Sequence, residues 1–197
     1  MNQQMSPLRT QHGTTLLEVL VTLIILAIGL LGLAGLQARL QASEMEAYQR
    51  AQALILLNDM ASRLAANRNN GNAYVTGSGA PVGVGMDCAT IGNVTVQQQD
   101  ATAWCNALQG VGETLGGNNN VGAMVGGRGC VEKIVGNALT PVGEYLVTVA
   151  WQGLTPVAAP VAAVACGSGS YDGGTACVND RCRRVVTTIV RIGDLAP

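Results

Sequence analysis

The sequence predicts an α+β fold in which one long N-terminal helix packs on a small antiparallel β-sheet head with long glycine-rich loops. An apolar and then amphipathic segment without internal proline fills the first third of the chain, whereas the 26 glycines lie mostly after position 70. Stretches near the C-terminus alternate apolar and polar residues, as half-buried strands do. A helix and strands in separate parts of the chain are typical of an α+β domain.

Residues 14–36 are the most apolar part of the chain and predict a transmembrane helix. Glu18 is the only charged side chain among these 23 residues, and about 20 apolar residues cross a bilayer core of ~30 Å. The residues before this segment contain Arg9 and no acid. The positive-inside rule therefore places them in the cytoplasm and the C-terminal part of the chain across the membrane.

The helical pattern continues from residue 37 to residue 68. Proline is absent between Pro7 and Pro81, and the Asn-rich stretch 67–72 around Gly71 supplies a stop signal. We therefore predict one helix from about Thr14 to about Asn67. Its predicted head-facing stripe consists of Leu36, Leu40, Tyr48, Ile55 and Leu64, and the charged residues predicted to lie largely off it are Arg39, Glu46, Arg50 and Arg63.

Three glycines recur at every third position of the apolar segment, at Gly29, Gly32 and Gly35. Each costs about 1 kcal/mol relative to alanine in a helix interior. Small residues let membrane helices approach closely, which predicts a helix-packing face. The alternative is the ordinary tolerance of membrane helices for glycine.

The residues around Gly13 resemble the class III signal and N-terminal helix of type IV pilins and type II secretion pseudopilins. The shared features are a short basic leader ending in Gly13, the apolar run TTLLEVLVTLIILAIGLLGLAGLQ and Glu18 at the fifth mature position. The piece LAIGLLGLAGLQ is most similar to PilV-type minor pilins, the type IV pilus modification proteins. The specific match covers about residues 9–40. The family usually has Phe at the first mature position, where this chain has Thr14.

The resemblance implies a type IV pilin fold made of four parts. Residues 1–13 would be a cytoplasmic leader, cut off by prepilin peptidase between Gly13 and Thr14, and the new Thr14 amine would be N-methylated. Residues 14–36 would be the transmembrane half of the helix and residues 37–68 its amphipathic half. Residues 69–197 would form a periplasmic, disulfide-bonded head. The implied partners are the peptidase, other minor pilins, the major pilin and the inner membrane.

Glu18 is a functional candidate because a carboxylate inside a membrane segment is costly. The resemblance implies that it pairs with the N-terminal amine of a neighbouring subunit during assembly. The alternative is that Glu18 complements the positive N-terminal end of the helix at the membrane surface.

The head contains weaker secondary-structure signals. Glycine and asparagine between residues 71 and 129 predict long surface loops, interrupted by one helix within 100–115 that Asp100 would cap. Strands are predicted at 144–152, at 155–166 and at 183–193, the second being weakened to an edge strand by Pro160. Because the head has few other large side chains, Trp104 and Trp151 are predicted core anchors.

All six cysteines lie in the head, namely Cys88, Cys105, Cys130, Cys166, Cys177 and Cys182. An even number of cysteines in a translocated domain predicts disulfides, and six cysteines allow 15 pairings between which the sequence does not choose. A zinc site is the alternative for Cys177 and Cys182, but no close Cys-x-x-Cys pair is present. Each disulfide would stabilise a thin core by about 2–4 kcal/mol.

The sequence lacks the residues that several classes of function require. The only histidine, His12, lies in the predicted leader, so the mature chain would hold no histidine-based catalytic set or metal site, and no phosphate loop is present. We predict no enzyme activity, cofactor, metal or small-molecule substrate. The net charge of −1 makes nucleic-acid binding unlikely. The one basic cluster, Arg181, Arg183 and Arg184, is predicted to be a solvated strand entrance beside a disulfide; the alternative is contact with DNA, a partner pilin or lipid.

The resemblance thus implies a minor pilin that enters a pilus, or its initiating or tip complex, and promotes assembly for twitching, adhesion or DNA uptake. The protein would move from the bacterial inner membrane to the cell-surface pilus. Two alternatives share the same anchor: a type II secretion pseudopilin, and a helix-anchored adhesin or DNA-binding tip module.

Overall fold

The computed structural model describes residues 15–112, 114–115, 119–120 and 124–194 of the chain. The chain divides into two compact units, Met1–Ser43 and Glu44–Pro197. The second unit contains all the sheet strands and is called the head below. Helix α1, Leu16–Ala66, begins in the first unit and ends in the second.

The bounds of α1 agree with the predicted helix, apart from Thr14, which lies outside the described residues. The helix starts after Thr15, whose hydroxyl accepts a hydrogen bond from the Glu18 backbone N–H at 3.3 Å. It ends where the Asn-rich stretch turns into a 3₁₀ helix, Arg68–Tyr74. Asparagine favours such ends because its side chain competes for backbone hydrogen bonds.

The predicted head-facing stripe of α1 is wrong except for Leu64. Tyr48 and Ile55 are 48% and 59% exposed, and the buried residues of the helix are Gln49, Ala53, Leu57, Met60 and Leu64. The large side chains in the contact between α1 and the sheet come from the sheet, for example Tyr145 and Trp151. The helix can therefore meet the sheet with a face that includes a small alanine.

The head is built on a four-stranded antiparallel sheet. The strands in chain order are β1 (Val82–Gly83), β2 (Thr114–Leu115), β3 (Asn119–Asn120), β4 (Arg128–Val135), β5 (Gly143–Gln152) and β6 (Arg183–Ile192). The main sheet has the order β1-β4-β5-β6, and β2 pairs only with β3. The predicted strands at 144–152 and 183–193 are confirmed as β5 and β6.

Two strand predictions need correction. Residues 155–166 form no strand: they are a connection between β5 and β6, consistent with the inability of Pro156 and Pro160 to donate to a ladder. Strand β4 starts within the segment 71–129 that was predicted as loops, and the 3₁₀ helix Cys88–Ile91 also falls there. The glycines around Arg128 hid the start of β4, although Cys130 to Val135 has strand-forming residues.

Helix α2 spans Val96–Leu108 and is capped by Thr95, not by the predicted Asp100. The Thr95 hydroxyl accepts from the Gln98 N–H, and the Gln98 side chain accepts from the Thr95 N–H. This reciprocal capping box satisfies two of the otherwise unpaired donors of the first turn. Asp100 lies inside the helix and bonds to α1.

In the head, one face of the sheet is covered along β5, and the other is covered only near Ala150, because Ile189 on that face is 45% exposed. On one face, alternate residues of β5 pack with α1 and α2 in the main core, which includes both predicted anchors, Trp104 and Trp151. On the other face, Ala150 packs with Cys130, Cys166 and Tyr171.

Candidate functional site

The N-terminal part of α1 is exposed throughout. Every large apolar side chain from Leu16 to Leu36 is at least 44% exposed. Within the described residues, α1 is the one helix that is long and apolar enough to cross a membrane. An apolar surface of this length needs lipid or other apolar helices around it.

Glu18 lies in the first turn of this apolar helix. Its backbone N–H donates to the Thr15 carbonyl at 3.0 Å and to the Thr15 hydroxyl at 3.3 Å. Thr15 therefore acts as the N-cap and Glu18 is the third helical residue, where a carboxylate interacts favourably with the helix dipole. Sequence reasoning missed the Thr15 cap, which the Thr-x-x-Glu spacing could have revealed.

The three glycines of α1 leave open space on the helix surface. No described atom lies within 4 Å of a Cβ built on Gly29, Gly32 or Gly35, apart from the backbone of the helix itself. Among the described residues, therefore, none packs against these three glycines. Gly13 and Thr14, the predicted cleavage residues, lie outside the described residues.

The N-terminal segment around Gly13 and Glu18 matches a known family motif. Residues 8–34 match the prokaryotic N-terminal methylation motif. The chain carries an N-terminal methylation signal. This signal is shared by type IV pilins and pseudopilins, and together with the apolar helix it supports a membrane-anchored pilin. No curated protein and no solved structure matches the chain significantly.

The six cysteines form three disulfides in the head, and no cysteine is free. Cys88–Cys105 joins the 3₁₀ helix Cys88–Ile91 to α2, and Cys130–Cys166 joins β4 to the β5–β6 connection. Cys177–Cys182 closes a short loop just before β6. The disulfides therefore fasten the long loops to the core.

The basic cluster is only in part the solvated strand entrance that the sequence predicted: Arg181 is exposed, whereas Arg183 is buried and Arg184 is half-buried. The Arg183 side chain is 2% exposed, forms a salt bridge with Asp180 at 3.2 Å and donates to the Val164 and Cys166 carbonyls. Arg184 forms a salt bridge with Glu46 at 3.1 Å. Because both guanidinium groups are used internally, these two arginines do not offer the free basic surface that a DNA-binding tip would need.

The acidic residues near this cluster are also used internally. Asp172 accepts a hydrogen bond from the Asp180 backbone N–H, and the Asp180 carboxylate accepts from Ser168 and Gly169. Burial by itself raises the pKa of Asp180, but these hydrogen bonds and the Arg183 charge hold that pKa below its ordinary value. Among the described residues, no cluster of three or more His, Cys, Asp or Glu side chains could hold a metal ion.

Gly129 gives Trp104 its place in the core. A Cβ built on Gly129 would lie 2.1 Å from the Trp104 ring. The ring nitrogen donates to the Leu56 carbonyl of α1 at 2.9 Å. Trp104 thus connects β4 and α2 to the part of α1 that lies within the head.

Proposed function

We propose that the protein is a minor pilin of a type IV pilus that enters the pilus, or its initiating or tip complex, and promotes assembly. The observation that carries this proposal is the methylation motif at residues 8–34, which leads into a helix with an exposed apolar surface from Leu16 to Leu36. The compact disulfide-bonded head at the other end of the chain fits the same class. PilV-type minor pilins remain the nearest subclass by resemblance.

Processing would begin at the Gly13–Thr14 bond. Prepilin peptidase would remove residues 1–13 on the cytoplasmic side of the inner membrane, and the Thr14 amine would be methylated. Residues 14–36 would then hold the protein in the membrane, residues 37–68 would continue the helix, and residues 69–197 would lie in the periplasm. Three disulfides suit that oxidising compartment.

Glu18 would guide assembly by pairing with the N-terminal amine of a neighbouring pilin. Opposite charges attract far more strongly in hydrocarbon than in water, because little solvent screens them. The same carboxylate suits the helix N-terminus in the unassembled protein. The open face at Gly29, Gly32 and Gly35 would let neighbouring helices approach closely.

The proposed role is structural and not enzymatic. The methylation motif is a signal for processing and assembly, and the work of filament extension would come from an ATPase elsewhere. The proposed partners are prepilin peptidase, the major pilin and other minor pilins.

A type II secretion pseudopilin is the second candidate, because the motif at residues 8–34 is shared by both classes. The glycine-rich head with three disulfides favours the pilus.

Pilus incorporation can be tested by shearing pili from cells and probing the sheared fraction for the head. We expect the head in that fraction, and we expect it to be absent when prepilin peptidase is deleted. A strain that lacks the major pilin controls for membrane carry-over. Exclusion of the head from pili, combined with a type II secretion defect on deletion, would replace the pilus proposal with the pseudopilin.

A further inference from the structure

Within the head, Glu46 fastens α1 to the turn after β5 and to the start of β6 through a single carboxylate oxygen. Its Oε1 accepts hydrogen bonds from the Leu154 N–H at 3.1 Å, the Thr155 N–H at 3.3 Å and the Thr155 hydroxyl at 3.1 Å. The same oxygen accepts from Arg184 Nη2 at 3.1 Å. Because Leu154 and Thr155 follow β5 and Arg184 belongs to β6, this contact joins the helix to the same end of two strands.

Arg184 is held in place for this contact. It donates to the Thr155 carbonyl at 2.6 Å and to the Arg181 carbonyl at 3.3 Å. Its guanidinium lies against Gly153, where an added Cβ would be 2.6 Å from Cζ. We call Glu46, Thr155 and Arg184 the Glu46 clamp.

The next inward-facing residue of α1 does not reinforce the clamp. Gln49 is 1% exposed, and no described residue donates to its Oε1. Burying an amide oxygen without a protein donor opposes the packing of this turn. One turn further on, the contact becomes apolar with Ala53, Leu57 and Met60.

The strength of the contact between α1 and the rest of the head therefore changes along residues 44–64 of the helix. From Ala53 onwards, buried apolar side chains hold the helix to the main core. Before Ala53, the contact consists of a clamp, whose Glu46 and Arg184 side chains are 32% and 16% exposed, and of the buried Gln49, which opposes docking. Segments held by few apolar contacts open at lower free energy than the core.

We propose that the Glu46 clamp is a releasable latch: when it opens, residues 44–52 of α1 separate from the turn 153–157 while residues 53–64 stay packed on the sheet. Opening exchanges four hydrogen bonds for hydrogen bonds with water and returns the Gln49 amide to solvent. The latch belongs to the head alone, so it does not depend on whether the protein is assembled into a pilus.

Limited trypsin digestion of the full chain in detergent micelles tests the latch, because three arginines report on three parts of α1. Arg50 lies in the latched segment, Arg39 precedes the head and Arg63 lies in the apolar-packed part. We expect Glu46→Gln to speed cleavage after Arg50 by about tenfold, the effect of losing one charged hydrogen-bonded contact. Cleavage after Arg39 and Arg63 should stay within about twofold.

Two further variants sharpen the test. Glu44→Gln removes an exposed carboxylate two residues away, so cleavage after Arg50 should stay at the wild-type rate. Gln49→Leu removes the buried amide, and it should slow that cleavage. The latch is refuted if Glu46→Gln leaves cleavage after Arg50 within about twofold of the wild-type rate. It is also refuted if Glu46→Gln speeds cleavage after Arg63 as much as cleavage after Arg50, because equal effects would indicate global unfolding and not local opening. Unchanged or faster cleavage in Gln49→Leu would also contradict it.

Discussion

The Arg63 guanidinium and the Asp100 carboxylate form a salt bridge of 2.8 Å that joins α1 to α2. Arg63 also binds Asp59 at 2.9 Å within α1, and Asp100 also accepts from the Tyr74 hydroxyl. The Asp100 side chain is 16% exposed, whereas Asp59 is 38% exposed. This network fixes the short helix on the last turns of the long one.

Asp100→Asn should lower the free energy of unfolding by about 1–2 kcal/mol, because a partly buried charged hydrogen bond is lost. Asp59→Asn is the matched control and should cost no more than about 0.5 kcal/mol, as exposed i,i+4 pairs do. Chemical denaturation of both variants measures the difference. Equal losses would show that the helix–helix bridge contributes no more than a surface pair.

Gly129→Ala should lower the free energy of unfolding by about 3 kcal/mol, since overpacking a core displaces its neighbours. The added methyl group would collide with Trp104, and the Trp104 fluorescence spectrum should shift as the ring moves. Gly79→Ala is the control, because no described atom lies within 4 Å of its Cβ and its φ is not positive. A Gly129→Ala protein as stable as Gly79→Ala would contradict the packing described for Trp104.

The disulfides should differ in their contributions to stability. Cys130–Cys166 closes a separation of 36 residues and Cys177–Cys182 one of 5 residues. Loop-closure entropy predicts a loss of about 4 kcal/mol when the first pair is replaced by alanine and about 2 kcal/mol for the second. Denaturation of the two double-alanine proteins tests the order. A larger loss for the short loop would mean that chain entropy does not set these contributions.

Tyr74 should ionise at unusually high pH. Burial and the hydrogen bond to Asp100 raise its pKa to about 12, compared with about 10 for an unfolded tyrosine. Because the folded pKa is the higher one, the associated stability is complete below about pH 10 and is lost as the pH rises towards 12. Tyrosinate absorbance should show one fewer group titrating near pH 12 in Tyr74→Phe, and an unchanged high-pH step would contradict this environment.

The sequence predicted the elements with strong local signals. The absence of proline and the Asn-rich stop gave the ends of α1, and alternation gave β5 and β6. The head-facing side of α1 could not be read from hydropathy, because Ile55 is exposed although it is more apolar than the buried Gln49 and Ala53. Likewise, the apolar run 155–166 resembled a strand, but its prolines and the lack of a pairing partner among the described strands leave it as a connection.

The candidate functional residues also divide into those with a local sequence signal and those whose role depends on distant contacts. The signal around Gly13 and Glu18 is local, so the sequence revealed it and the motif comparison supports it. The roles of Arg183 and Arg184 depend on Asp180 and Glu46, and the link from Arg184 to Glu46 crosses 138 residues. No sequence pattern reports a contact of that range, so one buried and one half-buried arginine looked like part of a surface cluster.

The most direct test of the central claim is the N-terminal mass of the protein produced with and without prepilin peptidase. The account predicts a chain that begins at Thr14 only when the peptidase is present, with the mass of one added methyl group where methylation occurs. A chain that still begins at Met1 in the presence of an active peptidase would contradict the pilin account and leave Glu18 as a helix-terminal carboxylate at a membrane surface. A chain cut after Ala38 would contradict it equally, because cleavage at a small residue after the apolar run is typical of an ordinary secretory signal.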